Sequence, residues 1–329
     1  MQCMAEALGM TLPLGSTAPA DSGQRLRLAK RTGIRAVELV KRGLRPSQVM
    51  TAGAVENAIR VLHAIAGSTN AVVHLLALIE ELDLERPVNV DTFEALSQDT
   101  PFIADVKPGG KYPMDAFHGA GGIPAVMKQI ASLLDLGVPT VGYDSLEEQL
   151  RAYPVKDEEI VRPLTSPLYD TGIVVLRGNL ADSSVSRPTV IKGQRNVFRG
   201  PANVFDSLEE AIAGIKDGKL RKGEVMVLRY EGPRGGPGLT DIFSLMGHLG
   251  GYGLGADCAV VTDGKASGFC EGLYVVQVSP EAYVGGPLAL IENGDAIEID
   301  IPNGRLHADV SAEEMERRRA AWVPPEPEA

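Results

Sequence analysis

The sequence predicts a mixed α/β protein with a helical first half and a second half of short strands. Through about residue 150, apolar residues recur mainly at helical spacing, and strand, glycine loop and helix follow one another near residues 102–135. After the turn-rich segment 162–172, short β-branched runs alternate with glycine turns. We therefore predict the remainder of a layered α/β domain in residues 1–165, a second domain in 166–322 and a disordered tail in 323–329.

Residues 22–43 give the clearest helical pattern of the first half. Ser22 can cap its start and Gly43 can stop it, since Ser accepts N-terminal N–H groups and Gly adopts the left-handed terminal conformation. Five apolar residues fall on one face at 3.6 residues per turn: Leu26, Ala29, Ile34, Val37 and Val40. The segment is therefore expected to be an amphipathic helix.

Further elements of the first half are predicted from shorter patterns. A helical region at 55–82 is interrupted by GSTN at 67–70, and Asp91 is expected to cap the short helix TFEALS. FIADV at 102–106 is typical of a buried strand, and a helix is predicted in 121–135 after a glycine loop.

The second half contains many short apolar runs that favour strands, with helices at 207–218 and 311–322. Close spacing of short strands is typical of a barrel or a sandwich with added helices, and we predict the barrel-like form. The runs are 172–178, 187–193, 201–205, 224–230, 258–263, 273–278, 288–292 and 296–301.

Composition and charge exclude several classes of function. A formal net charge of -11 disfavours nucleic acid and anionic membrane surfaces as partners. No apolar stretch approaches the roughly 20 residues that cross a bilayer, and the first residues do not resemble a secretory signal, so we expect a cytoplasmic protein. Cys3, Cys258 and Cys270 are too far apart for a CxxC site and are expected to be reduced.

The glycine-rich run GPRGGPG at 232–238 is the first candidate site. It precedes a helix expected from about Thr240, and backbone N–H groups at such a position can hold an anion such as a carboxylate. A tight connection that needs glycine for conformational reasons is the alternative. Asp241 can complement the helix dipole or bind Mg²⁺, and Glu231 is open to the same two interpretations.

Ser267 and His118 are the other candidates from the residues alone. Ser267 lies in the loop TDGKASG after an apolar run, where it is either a turn residue or a base that needs activation. No zinc motif joins the five histidines; His63 and His74 are expected in core or interface positions, whereas His118, followed by glycines, is expected to line a cleft.

Seven segments, in order along the chain, together resemble the dihydroxy-acid and phosphogluconate dehydratase family. They are EALGMTLP (6–13), GSTNAVVHL (67–75), KPGGKYPMDAFHGAGGIPAVMK (107–128), VLRGNLA (175–181), RYEGPRGGPGLTDI (229–242), VTDGKASG (261–268) and VSPEAYVGGPLALIENGD (278–295).

The resemblance implies a hydro-lyase that converts a 2,3-dihydroxy carboxylic acid to a 2-keto acid. It further implies an iron–sulfur cluster, of the 2Fe-2S or 4Fe-4S type, Mg²⁺, a homodimer and a second domain of the swivelling β/α type. Ser267 matches the serine that takes the C2 proton, and Asp241 matches a glutamate ligand of Mg²⁺. The matching substrate-binding positions are Ser68, Thr69, Asn70, His118, Gly235, Gly236 and Gly238.

The sequence departs from the family pattern at several places, including DSSVSRP after VLRGNLA. The cluster cysteines are expected before EALGM, so no cluster ligand is assigned in this chain, and a truncated N-terminus or a separate N-terminal partner segment is the expectation. Asp241 is shorter than glutamate, and Lys265 with Phe269–Cys270 replaces the usual neighbours of the serine. The expected function is dihydroxy-acid dehydration in branched-chain amino acid biosynthesis; the alternatives are a sugar-acid dehydratase and a noncatalytic remnant or interaction module.

Because no cluster ligand is assigned, we predict that the purified chain alone is colourless and does not dehydrate 2,3-dihydroxyisovalerate. Visible absorbance and bound iron of the purified chain check this. Brown protein with stoichiometric iron would overturn the expectation of a truncated N-terminus without cluster ligands.

Overall fold

A computed structural model describes residues 1–190, 195–268, 270 and 272–326 of the chain. The chain divides into two compact units, of which the first consists of Met1–Gly67 and Ala71–Gly172. The second unit starts at Ile173 and also includes the short segment Ser68–Asn70. The mixed α/β class and the barrel-like second part are confirmed, since the second unit contains a closed barrel of eight strands.

The first unit is built from helices around a central helix, α4. In α4, Val55, Ile59 and Leu62 are fully buried, and the helix contacts α1, α6 and α8. The helices are α1 (Gln2–Ala7), α2 (Gly23–Arg42), α3 (Pro46–Val49), α4 (Ala52–Ala64), α5 (Asn70–Glu80), α6 (Val90–Ser97), α7 (Met114–Gly119), α8 (Gly122–Gln129) and α9 (Leu146–Ala152).

Helix α2 confirms the predicted helix and both of its caps. The Ser22 side chain accepts the N–H of Arg25, and Gly43 adopts the left-handed conformation with φ 67°. The apolar face, however, points outward: Leu26 is 73% exposed and Val40 is 81% exposed. Leu28, on the opposite side, is the buried residue of this helix. The 3.6-residue periodicity therefore identified the apolar face of α2 correctly, but it did not show that this face is exposed and that the opposite side packs against the protein.

Two local predictions in the first unit are wrong. FIADV is buried, but within the described residues it forms isolated bridges, such as Phe102 with Tyr169 and Ala104 with Val161, instead of a strand. The cap of α6 is Asn89, whose side chain accepts the N–H groups of Asp91 and Thr92. Asp91 lies in the first turn, where its charge still favours the helix dipole.

The barrel of the second unit has the order β1-β2-β6-β5-β4-β3-β7-β8. Its strands are β1 (Val174–Gly178), β2 (Ala181–Ser186), β3 (Val197–Phe205), β4 (Val225–Leu228), β5 (Ala259–Thr262), β6 (Leu273–Ser279), β7 (Ala296–Asp300) and β8 (Arg305–Ala308). The strands β3, β4, β5 and β6 are parallel to one another, and β1 closes the barrel against β8 through the pair Arg177 and Arg305.

The polar strand β2 and the short strand β8 were not predicted from the sequence. The predicted run 288–292 falls instead mainly on a 3-10 helix, Pro287–Leu290. Of the predicted run 187–193, residues 187–190 are not a strand, and 191–193 lie outside the described residues.

Helices α10 (Leu208–Lys216), α11 (Phe243–Gly251) and α12 (Ala312–Ala321) complete the second unit. Every residue of β4 and β5 is buried. Val225, Val227 and Val261 belong to one hydrophobic cluster, whereas Met226 and Val260 belong to another together with residues of α10 and α11. Burial on both faces explains why these strands are continuous apolar runs without alternation.

Cys3, Cys258 and Cys270 are free cysteines, as expected. In the described part of the chain, no helix combines the length and the apolar character that crossing a membrane requires. Of the predicted tail, residues 323–326 have no regular secondary structure, and 327–329 lie outside the described residues.

Truncation of a barrel core residue should destabilise the protein strongly. Leu176 of β1 is fully buried, so Leu176→Ala is expected to lower the free energy of unfolding by about 2–5 kcal/mol. Val197 of β3 is 51% exposed, and Val197→Ala is expected to change it by about 0.5 kcal/mol or less. Urea unfolding followed by circular dichroism measures both; equal effects would contradict the assigned core.

Candidate functional site

Parallel pairing brings together the loops that follow β4, β5 and β6. The register joins Val227 of β4 to Val261 of β5, and Val261 to Val275 of β6. Because parallel strands end at the same edge of a sheet, residues 229–242, 263–268 and 280–286 leave the barrel at one edge. The glycine run and Ser267, separate in sequence, therefore lie on neighbouring loops.

Asp241 connects these two loops through its carboxylate. Oδ1 accepts the N–H of Ser267 at 3.1 Å and the N–H of Phe243 at 3.0 Å. The adjacent backbone forms a parallel bridge between Asp241 and Lys265, in which Lys265 N–H donates to the Thr240 carbonyl at 2.8 Å. Asp241 thus fixes the backbone of Ser267 and also the entry into α11.

The segment 68–70 belongs to the same cluster of residues. Asn70 Nδ2 donates to Oδ2 of Asp241 at 3.2 Å, and Thr69 Oγ1 donates to the carbonyl of Ala266 at 3.2 Å. A side chain at Gly268 would place its Cβ 3.1 Å from the Cβ of Ser68. Three of the predicted substrate-binding residues therefore surround the serine loop within the second unit.

Asn70 Oδ1 is buried and has no hydrogen-bond partner among the described residues. Buried polar atoms normally have a partner, because an unsatisfied acceptor costs about 1–3 kcal/mol. Within the described part of the chain, this acceptor next to Asp241 therefore lacks the partner that a buried polar atom normally has.

The glycine run offers backbone donors at the same edge. Gly235 and Gly238 adopt left-handed φ values of 67° and 93°, and a Cβ on Gly236 would collide with the carbonyl of Tyr230. Within the described residues, the N–H groups of Gly235, Gly236 and Gly238 donate no hydrogen bond. The conformational interpretation of this run is confirmed, because glycine is required at these positions. Binding of an anion such as a carboxylate by its N–H groups stays a prediction.

Three buried acids support the loops, and sequence reasoning gave a possible ligand role only to Glu231. Its Oε1 accepts the N–H of Leu208 at 2.6 Å at the start of α10, which is a structural contact. Asp263 and Glu281 were missed, although an acid directly after a fully apolar strand is the signal that could have identified Asp263. Burial raises the pKa of all three carboxyl groups.

His63, His74 and His118 all lie in the first unit. His118 lies on α7 of the first unit, where Thr17 Oγ1 is 2.8 Å from Nδ1 and Gln24 Oε1 is 3.0 Å from Nε2. Burial lowers the pKa of His118, so both contacts involve a ring that favours the neutral form. Its place in a substrate cleft stays a prediction. His63 is fully buried, as expected, whereas His74 is exposed.

The described residues do not by themselves fit either inorganic cofactor. They contain no group of three or more His, Cys, Asp or Glu side chains that could hold a metal ion. Asp241 already accepts hydrogen bonds at both oxygens. Cys270 is 1% exposed and burial raises its pKa to about 12, which disfavours the thiolate needed for ligation. Phe269 and Glu271, beside it, lie outside the described residues.

Family models match almost the whole chain. The model described as Dihydroxy-acid/6-phosphogluconate dehydratase N-terminal matches residues 1–149, and the corresponding C-terminal model matches residues 159–329.

Individual relatives give the same result. A dihydroxy-acid dehydratase of Methanothrix thermoacetophila is 44% identical over 99% of this chain and 60% of its own length. Those of Acetivibrio thermocellus and Pyrococcus furiosus are 42% and 41% identical over 99% and 98% of the chain, and each is matched over 59% of its length. The chain thus spans about 60% of the length of these curated relatives.

A methyl group on Gly236 should disturb the glycine run selectively. Because its Cβ would overlap the Tyr230 carbonyl, Gly236→Ala is expected to lower the free energy of unfolding by about 1–3 kcal/mol. Gly247 of α11 has open space at its Cβ position, so Gly247→Ala should be neutral or stabilise by up to about 1 kcal/mol. Urea unfolding compares the two variants; an equally stable Gly236→Ala would show that the loop has room to adapt.

Proposed function

Because the chain belongs to the dihydroxy-acid/6-phosphogluconate dehydratase family, we propose that it carries the proton-abstracting site of a dihydroxy-acid dehydratase. The reaction would remove water from a 2,3-dihydroxy carboxylic acid and give a 2-keto acid. The observation that supports this most directly is the carboxylate of Asp241, which binds Ser267 and Asn70 and so joins three motifs that are far apart in sequence.

The proposed chemistry needs a base at C2 of the substrate. The base takes the C2 proton, and a C2–C3 double bond forms as the C3–O bond breaks. The departing hydroxyl takes up a proton from the protonated base, so that one water is released and the base is regenerated. The resulting enol tautomerises to the 2-keto acid, so that atoms and electrons balance without an oxidant. A C2 proton beside a carboxylate is weakly acidic, and pre-placed donors that stabilise the developing negative charge therefore contribute much of the rate.

Each group of the chain has a place in this proposal. The open N–H groups of the glycine run would hold the substrate carboxylate. The Ser267 hydroxyl, in its deprotonated form, would take the C2 proton. Asp241 would orient Ser267 through its backbone N–H, and the unsatisfied Oδ1 of Asn70 would accept a hydrogen bond from a substrate hydroxyl.

The family's cofactors stay part of the proposal on the basis of the resemblance alone. An iron–sulfur cluster and Mg²⁺ supply Lewis acidity toward the substrate oxygens in such enzymes. The described residues form no ligand set for either, so only the roles of the chain's own groups are derived. Cytoplasmic location and a homodimer likewise stay predictions.

Dihydroxy acids with a branched alkyl tail are the proposed substrates, and the pathway is branched-chain amino acid biosynthesis. The relatives at 41–44% identity are all named dihydroxy-acid dehydratase, which favours this class over sugar acids. A sugar-acid dehydratase is the second candidate, because the family description also includes 6-phosphogluconate dehydratase. A noncatalytic module is the third, given the departures around the serine.

Complementation with a relative tests the proposal. The chain is co-expressed with the part of the Methanothrix protein that it does not match, and the pair is assayed for keto-acid formation from 2,3-dihydroxyisovalerate and from a panel of sugar acids. We expect activity on the dihydroxy acid. Ser267→Ala should reduce the rate about 10²–10⁴-fold, because the proton transfer loses its base.

Ser183→Ala, on β2 of the same unit, is the matched control and should retain full activity. An unchanged rate of the Ser267→Ala pair would exclude Ser267 as the base. Activity on sugar acids alone would select the second candidate, and an inactive but folded pair with a loaded cluster would support a noncatalytic module.

A further inference from the structure

Three buried carboxylates join the loops at one edge of the barrel. Because β3, β4, β5 and β6 are parallel, the chain leaves all four strands at the same edge. Side chains from three of these loops accept backbone N–H groups of neighbouring loops. Asp263 is central among them, and the proposed chemistry leaves it without a role.

Asp263 follows β5 directly and is only 2% exposed. Its Oδ1 accepts the N–H of Glu231 at 3.0 Å, and its Oδ2 accepts the N–H groups of Tyr230 at 3.2 Å and Ala282 at 2.9 Å. Tyr230 and Glu231 begin the loop after β4, and Ala282 lies in the loop after β6. One carboxylate therefore binds the loops on both sides of its own.

Glu281 and Glu231 extend these connections. Oε2 of Glu281 accepts the N–H of Arg234, inside the glycine run, at 3.1 Å. Glu231 reaches in the other direction, to Leu208 at the start of α10. The glycine run is thus held at its entry by Asp263 and in its middle by Glu281.

The backbone at the entry to the glycine run is strained. Tyr230 has a φ of 69°, in the left-handed region that costs a non-glycine residue about 1–3 kcal/mol. Its N–H is one of the three that Asp263 accepts. Such a conformation persists only where surrounding contacts determine it. The carboxylate of Asp263 holds the backbone at this point, and the Tyr230 hydroxyl also accepts a hydrogen bond from Trp322 Nε1.

Burying these acids is itself costly. Desolvation raises the pKa of Asp263, and the nearby Glu281 carboxylate acts in the same direction, whereas the three N–H bonds lower it. A buried ionised carboxylate is tolerated only when hydrogen bonds replace its hydration. Three N–H donors from two loops provide that replacement, so the charge and the loop geometry depend on each other.

We propose that Asp263 is a positioning residue, which sets the glycine run and the Ser267 loop in one fixed relative geometry. Its side chain holds the backbone of Tyr230 and Glu231, and its main chain leads within four residues to Ser267. The proposed effect of Asp263 on catalysis rests on the proposed function. Its proposed effect on the geometry of the loops does not depend on activity.

Hydrogen exchange of backbone amides tests the structural part on the full chain. Asp263→Asn keeps the size of the side chain but replaces one acceptor oxygen with an NH₂ group, which faces N–H donors. We expect the amides of Tyr230, Glu231 and Ala282 to exchange at least about tenfold faster, which corresponds to roughly 1.4 kcal/mol. The amides of β7 should be unchanged.

Asp300→Asn is the matched control, because Asp300 also accepts a backbone N–H, that of Asn303, at the end of β7. In Asp300→Asn, only the amides of the turn around Asn303 should exchange faster. Wild-type exchange at Tyr230, Glu231 and Ala282 in Asp263→Asn would overturn the proposal, as would a uniform increase throughout the barrel. If Asp263→Asn does not fold, Glu281→Gln should accelerate exchange at Arg234 while Tyr230 and Glu231 stay protected; exposure of all three would overturn the proposal.

The catalytic part is measured in the complemented pair described above. Asp263→Asn should lower kcat/KM at least about tenfold while amide exchange in β7 stays unchanged, whereas Asp300→Asn should retain the wild-type kcat/KM. Altered exchange with wild-type kcat/KM would overturn the positioning role. An inactive wild-type pair would contradict the proposed function instead, and the exchange experiment would still decide whether Asp263 fixes the loops.

Discussion

The parallel pairing of β3, β4, β5 and β6 is the constraint on which the candidate site depends. The two central strands of this set, β4 and β5, are buried along their whole length and are apolar. Around them, polar groups collect where the strands end, and parallel direction places those ends together. The glycine run, Ser267 and Asp263 all occur within the first residues after such an end, and their proximity follows from strand direction alone.

Backbone groups make up much of the candidate site, which explains how its side chains are used. The carboxylates of Asp241, Asp263 and Glu281 accept backbone N–H groups, and within the described residues the N–H groups of Gly235, Gly236 and Gly238 donate no hydrogen bond. Backbone donors cannot rotate away, so a site made from them is rigid once the loops are fixed. The acids that fix the loops are buried, and the free energy of their burial is offset only while every loop is in place.

Much of this arrangement could be predicted from the sequence, and the failures have physical causes. Ser22 and Gly43 identified α2 because caps act locally, and the apolar runs of β4 and β5 identified strands because both faces are buried. The prediction of a strand at FIADV failed because a buried segment is apolar whether or not it pairs with another strand. The polar strand β2 was missed because its Ser184 and Ser186 bond to strand carbonyls, which only the fold reveals. Asp263 was left without a role because its partners come from other loops.

The exposed apolar face of α2 affects how the protein behaves in solution. Leu26, Val37 and Val40 face water, and Lys30 and Lys41 are exposed on the same helix. Two copies that meet through this face bring like charges together. Repulsion between them acts over about 30 Å at 0.01 M salt but only about 3 Å at 1 M. Association of two molecules through this apolar face is therefore opposed by the charge of the lysines at low salt. At high salt the repulsion is screened, and the exposed aliphatic area then favours association.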